Sequence, residues 1–230
     1  MTVVLAIDTS TDEASVALVG EQRPCAELSW ITGANHSRYL DQAVKTVLSY
    51  GEARLEDVEG IAVALGPGSF NGLRVGVSYA LGLAFGLDIL VTGVPTLDII
   101  GLQAARGTGR VYALIPAGRG EVYISTYEGE GEEWSRVGEY GRVATTELAI
   151  SLEPTDLLAG PAAQAVAGLA WEQGKSVRLV DPARGMRRAS FLAELGKQRA
   201  QGVAAGDFDA IRPLYLRQSS AEEKRAASRG

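Results

Sequence analysis

The sequence predicts an α/β protein made of two similar βββαβα lobes with mixed sheets. Three observations carry that prediction. Short apolar runs bounded by Gly, Pro or polar turns alternate with segments of helical period. Residues 60 to 87 give a strand, a glycine-rich loop and a helix in direct succession. After Gly107 and Gly109 the order of elements starts again, a duplication of architecture in which the residues themselves barely repeat. The expected domains are 1–106, a lobe with a helical pairing surface, and 107–217, a second lobe whose last segment can pack back on the first. A disordered polar tail is expected over 218–230.

In chain order, Val3 to Ile7 is an apolar strand that stops abruptly at Asp8, Thr9, Ser10 and Thr11. An acid and three hydroxyls at a buried strand tip make either a phosphate or metal cradle or a self-bonded turn. Asp8, Thr9 and Ser10 are therefore the candidate nucleotide-facing turn. Ser15 to Val19 and Ala26 to Trp30 read as two more strands, antiparallel in succession, with Cys25 beginning the third as a small hydrophobe. Ser37 to Tyr50 then sets Leu40, Ala43, Val44, Val47 and Leu48 on one face of an amphipathic helix. His36, the sole histidine, immediately precedes that helix, as a helix-start group or an acid/base residue. With Leu40 four residues on and no second His, a histidine metal site is not available. A Ser/His/Asp triad through Ser69 is disfavoured, because GPGSF is not the GxSxG elbow that exposes a nucleophile.

Gly60 to Leu65 is a buried strand, and Gly66, Pro67, Gly68, Ser69 and Phe70 turn it into a helix that reaches Leu87. Gly66 and Gly68 admit positive φ, Pro67 fixes the turn, and Ser69 or Asn71 can cap the first free amides. No charge occurs between Arg74 and Asp88, and two apolar ridges, Leu73/Val77/Leu81/Phe85 and Val75/Tyr79/Leu83, point in different directions. Such a helix has to be buried all round. Between the ridges Gly72, Gly76, Ala80 and Ala84 recur every four residues, a stripe that permits close backbone approach. With Leu40, Ala43, Val44 and Val47 they are expected to build a pairing interface, a two-fold helical bundle. A bulky residue at Gly76 is then expected to separate the chains. A mononucleotide loop needs GxxxxGK(S/T), and no Lys follows these glycines, so that reading fails. A dinucleotide fingerprint is approached only as GxGxxxG, with Asp88 ahead of the next strand, and competes with glycines that simply make a turn.

Ile89 to Gly93 is the next strand, and Val94-Pro95-Thr96 opens a helix through Ala105. In the second half Val111 to Ile115, Glu121 to Tyr127 and Glu132 to Tyr140 read as strands. Helices at Thr146 to Leu152, Pro161 to Trp171 and Ser190 to Gly202 alternate with short strands at Leu157 to Ala159 and Val177 to Val180. The strand tip at Pro116, Ala117 and Gly118 carries no acid, and Arg184, Arg187 and Arg188 read as a solvated helix start. Composition is that of a globular protein, 46% hydrophobic and 22% charged, which excludes disorder and the membrane class. A net charge of −6 repels polyanions, so nucleic acid would be met through a local patch or a partner. One cysteine excludes an internal disulfide, and no signal segment is visible, so a cytoplasmic protein is expected.

AIDTST and SVAL near the amino end, HSRYL, GPGSFNGLRVG, RGEVY over Arg119 to Tyr123 and PLYLR occur in this order. Together they resemble the bacterial TsaB (YeaZ) family of the actin-like ATPase and sugar kinase superfamily, over nearly the whole chain. The resemblance implies a two-lobed ribonuclease-H-like fold and a part in making threonylcarbamoyladenosine in tRNAs that read codons beginning with A. It implies a non-catalytic scaffold that dimerises in isolation and binds and activates a TsaD-type catalytic subunit, with a TsaE-type ATPase as third partner and tRNA met through the complex. Catalytic relatives carry a metal-binding HxxxH after a Gly-Val step; here Thr96 and Ile100 stand there, so neither metal nor catalytic residues are expected. ATP-binding relatives show DxG(S/T) at the first strand tip, whereas Thr9 and Ser10 follow Asp8 here, and the acid usual in the family's turn before GEVY is replaced, with Pro116 and Ala117 in its neighbourhood. The implied cofactor state is none bound tightly, with an adenine nucleotide at the interface with the partner. The competing reading is a free-standing small-molecule kinase using Asp8 and the inter-lobe cleft.

Overall fold

The computed structural model describes residues 3–21, 24–32, 35–105, 107–131, 133–181, 185–200, 205, 206, 208, 209, 211–214 and 216. The tail expected over 218–230 lies outside the described residues, as do Arg184, Tyr215 and Arg217.

The first sheet holds β1 (Val4–Asp8), β2 (Glu13–Val19), β3 (Pro24–Ile31), β4 (Gly60–Gly66) and β5 (Leu90–Pro95), in the spatial order β3-β2-β1-β4-β5. Short turns make β1, β2 and β3 antiparallel, while helical crossovers make β4 and β5 parallel to β1. The crossovers are α1 (His36–Tyr50) and α2 (Phe70–Leu87). The second sheet repeats the plan with β6 (Gly107–Gly118), β7 (Glu121–Gly131), β8 (Glu133–Ala144), β9 (Leu157–Ala159) and β10 (Arg178–Leu179), ordered β10-β9-β6-β7-β8. The helices of this half are α4 (Thr145–Ser151), α5 (Ala163–Glu172) and α6 (Ala189–Arg199), and α3 (Thr96–Ala104) joins the two sheets. Two sheets of equivalent strand order give the doubled mixed-sheet α/β architecture that the sequence predicts.

β1 is central and buried on both faces, which is why its apolar run is unbroken. Leu5 and Ile7 point toward α1 and α2, packing with Leu40, Val44, Val47 and Val77. Val4 and Ala6 point the other way, with Ala17 and Ala62, against Leu192 and Ala193 of α6. Small residues on that face let α6 come close: a Cβ added at Gly196 would stand 2.6 Å from the Ala62 Cβ. The second sheet packs α4 and α5 on one face, around Leu114, Val122 and Leu158. On its other face Leu97 and Ile100 of α3 meet Ile115 and Tyr127. Helices α3 and α6 thus lie between the two sheets. The amide of Leu214 donates to the Leu65 carbonyl at 2.6 Å, which ties the segment after α6 to the end of β4. Among the described residues no helix is long and apolar enough to cross a membrane.

Candidate functional site

The polar turn after β1, where the sequence places the candidate nucleotide-facing residues Asp8, Thr9 and Ser10, is closed within the chain. All three are buried, and their polar atoms bond within the chain. The Ser10 amide and hydroxyl donate to Asp8 Oδ1 at 2.8 and 2.6 Å, and the Thr9 hydroxyl donates to the Gly72 carbonyl at 2.8 Å. The other carboxylate oxygen, Oδ2, accepts from Arg187 Nε at 2.7 Å. The same guanidinium donates to Glu13 Oε2 at 2.9 Å, Thr11 Oγ1 at 2.8 Å and the Glu13 carbonyl at 2.9 Å. Arg187 is 2% exposed, so the solvated helix start predicted for it is corrected: two carboxylates and a near-complete set of acceptors hold the cation inside. Burial works against its charge, but Asp8 and Glu13 outweigh burial and raise its pKa. Burial also lifts Glu13 above the ordinary carboxylate range in spite of that partner.

The sequence motifs make this strand tip a candidate nucleotide turn, and protein atoms occupy it in the fold. A Cβ at Gly68 would lie 1.9 Å from the Ser10 carbonyl oxygen, so the glycine loop rests directly on the turn. The Ser69 amide seals the contact by donating to that carbonyl at 2.7 Å. Gly66 adopts φ +96° to start the turn, and the Ser69 hydroxyl caps α2 by accepting from the Gly72 amide at 3.3 Å. Neutralising Asp8 and filling the tip are both done by protein atoms.

The helical seam is likewise internal. Leu40, Ala43, Val44, Val47, Gly72, Gly76, Ala80 and Ala84, the expected pairing residues, are all buried within the single chain. The small-residue stripe does permit close approach, but the approaching backbone is the β1 tip. A Cβ at Gly72 would meet the Thr9 carbonyl oxygen at 2.1 Å, and one at Gly76 the Thr9 hydroxyl at 2.2 Å. Gly76→Leu would therefore disturb the monomer itself. The outer face of α2 carries a second four-residue repeat, Ser78, Gly82 and Gly86, and all three are exposed. Phe70 and Phe85 beside it are 49% and 79% exposed, and a Cβ at Gly82 or Gly86 meets nothing within 4 Å.

His36 is buried at the start of α1, its ring against Gly72. Burial holds its pKa below the ordinary 6.5, outweighing the upward pull of Asp8 and Asp12, with Arg187 also lowering it. The unfolded chain takes up the proton more readily, so this contribution to stability is complete above pH 6.5 and fades as pH falls below it. Urea denaturation at neutral and mildly acidic pH should show that loss, and His36→Gln should flatten it. An equal slope in both chains would refute the assignment.

Two residues that organise the molecule escaped the sequence reading of sites. Arg187 is one. Asp98, on α3, is the other: it accepts from Tyr127 at 2.6 Å, from Tyr140 at 2.9 Å and from Arg199. A lone acid inside the apolar segment TLDIIGL was the available signal for the second.

Residues 30–224 match the profile of the family described as TsaD, tRNA N6-adenosine threonylcarbamoyltransferase. The chain belongs to this family. The chain is similar to the tRNA threonylcarbamoyladenosine biosynthesis protein TsaB of Bacillus subtilis (strain 168), 29% identical over 232 residues and 96% of each chain. The Escherichia coli (strain K12) protein of the same name is 37% identical over 127 residues, 54% of each chain. Among solved structures, YeaZ from Pseudomonas aeruginosa superposes with a TM-score of 0.75 at 29% identity, covering 94% of this chain and 100% of that one. The resemblance to TsaB and YeaZ carried by the sequence motifs is thereby borne out.

Proposed function

We propose that this chain serves the biosynthesis of threonylcarbamoyladenosine in tRNA as an accessory subunit. It pairs with a TsaD-type catalytic subunit and activates it, without carrying the transfer chemistry itself. The relatives' names support the pathway, and the exposed outer face of α2 supports pairing. There Ser78, Gly82 and Gly86 leave room for a second backbone, with Phe70 and Phe85 beside them. The accessory role is supported by the positions where catalytic relatives are expected to carry histidines. Thr96 accepts from the Gly66 amide at 3.1 Å, and Ile100 is packed in the apolar core between α3 and the second sheet. In isolation the same α2 face suits a second copy of the chain. In this reading the TsaE-type ATPase and the tRNA join through the complex, in the cytoplasm, and any adenine nucleotide sits at the surface shared with the partner. The free-standing kinase reading has less support, because Arg187 neutralises and fills the strand tip it would use.

Gly82→Arg tests the reading. The position is open, so the variant should fold with helix stability unchanged or raised by about 0.5–1 kcal/mol. Mixed with the TsaD-type subunit, it should fail to co-sediment and fail to support tRNA modification. A folded Gly82→Arg chain that still pairs and supports modification would overturn the assignment of this face.

A further inference from the structure

We propose that the groove between the starts of α1 and α2 binds a single phosphoryl group carried by a small molecule. The groove encloses about 490 Å³ and is lined by His36, Ser37, Asn71, Arg74, Val75 and Ser78. That volume lies within the range of small-ligand clefts and exceeds what one phosphate fills. Its most telling wall is His36, which is 2% exposed while neither ring nitrogen has a hydrogen-bond partner among the described residues. A buried imidazole left with both nitrogens unmet costs stability, and such groups in native proteins mark a missing partner.

The remaining walls say what that partner is. Both helices begin at this groove, and neither has an acidic residue in its first turn. The Asn35 side chain makes no capping bond at the start of α1. The positive ends of two helix dipoles therefore face the same opening without an internal anion. Arg74 adds a full charge at the rim. Its guanidinium lies over the Phe70 ring at 5.3 Å, and among the described residues it has no carboxylate partner. Asn71, Ser37 and Ser78 add neutral hydrogen-bonding groups to the same lining, of the kind that a phosphoryl oxygen accepts from. The acids that reach His36 electrostatically are Asp8 and Asp12, and Asp8 is already spent on Arg187. A single cation in the groove and a net charge of −6 favour one phosphoryl group over a polyanion.

This groove is distinct from the closed β1 tip and adjoins the proposed pairing face through Ser78. The inference does not rest on pairing, because it is read on this chain alone. His36 is the only histidine, so its ring proton resonances are unambiguous in an NMR titration. Inorganic phosphate and AMP should shift those resonances saturably, and adenosine should not. Arg74→Ala, at an exposed position, should weaken the response at least roughly tenfold. Asn71→Asp, which puts a carboxylate in the first turn of α2, should abolish it. Both variants should keep the parent chain's dispersion of backbone resonances. A shift that never saturates, or saturation unchanged in Arg74→Ala, would overturn the proposal. So would a response to a short oligoribonucleotide but to neither phosphate nor AMP.

Discussion

Arg187→Met should destabilise the folded chain by about 3–5 kcal/mol, seen as a lower urea midpoint at unchanged slope. The size follows from what the substitution leaves behind. Asp8 would remain buried with its Oδ2 unpaired, Glu13 would lose its cation, and the Thr11 hydroxyl an interaction at 2.8 Å. Adding Asp8→Asn to the same chain should recover part of the loss, since the orphaned charge is then gone. Arg187→Lys should fall between, because an ammonium cannot span the four acceptor atoms that the planar fork of the guanidinium reaches. A loss under about 1 kcal/mol for Arg187→Met would mean that the ion pairs merely break even with an apolar side chain.

Asp98→Ala should cost a similar amount, about 3–5 kcal/mol, by stranding two tyrosine hydroxyls and Arg199 around an empty acceptor site. The cluster spans four elements, α3, β7, β8 and α6, so its loss should loosen the join between the two sheets. Hydrogen exchange at α3 should rise before exchange at β1 does. The cluster also has an alkaline signature. Burial first, then the Asp98 charge and hydrogen bond, push the Tyr140 hydroxyl from 10.0 up to about 12. Burial and the same carboxylate raise Tyr127 further. A raised folded pKa means that this stability is intact below pH 10 and is lost as pH climbs toward 12. Tyr140→Phe should shrink that alkaline loss, and a slope identical to the parent chain would count against the cluster.

What could be read from the sequence was what is decided locally. Val4 to Ile7 is an unbroken apolar run because the strand is covered on both faces, and α1 shows a clean amphipathic period because one face meets the sheet. The strand, loop and helix from Gly60 to Leu87 followed from its glycines and its capping serine. Strand lengths in the second lobe were underestimated, since Gly107, Gly109, Gly129 and Gly131 continue the β6–β7 ladder where their composition suggests turns. The four-residue repeat in α2 does mark close backbone contact, and the backbone that approaches it is the β1 tip of the same chain. Periodicity shows that a surface must be covered, and it carries no information on whether the cover comes from the same chain. Arg187 and Asp98 were missed for a related reason. The partners of Arg187 lie 174 to 179 residues away and those of Asp98 lie 29 to 101 residues away, so no local pattern names them.

The position of α6 has a consequence for how the molecule comes into being. Ribosomal synthesis delivers all five strands of the first sheet long before residues 189–199, yet Val4, Ala6, Ala17 and Ala62 wait for that helix to dry one of their faces. Asp8, likewise, has no counter-charge until residue 187 emerges. The amino-terminal lobe is therefore born unfinished, and its maturation is gated by contacts of very long sequence separation, which close slowly. A nascent chain stalled near residue 106 would present a bare hydrophobic sheet to the cell, a natural client for chaperones until translation resumes.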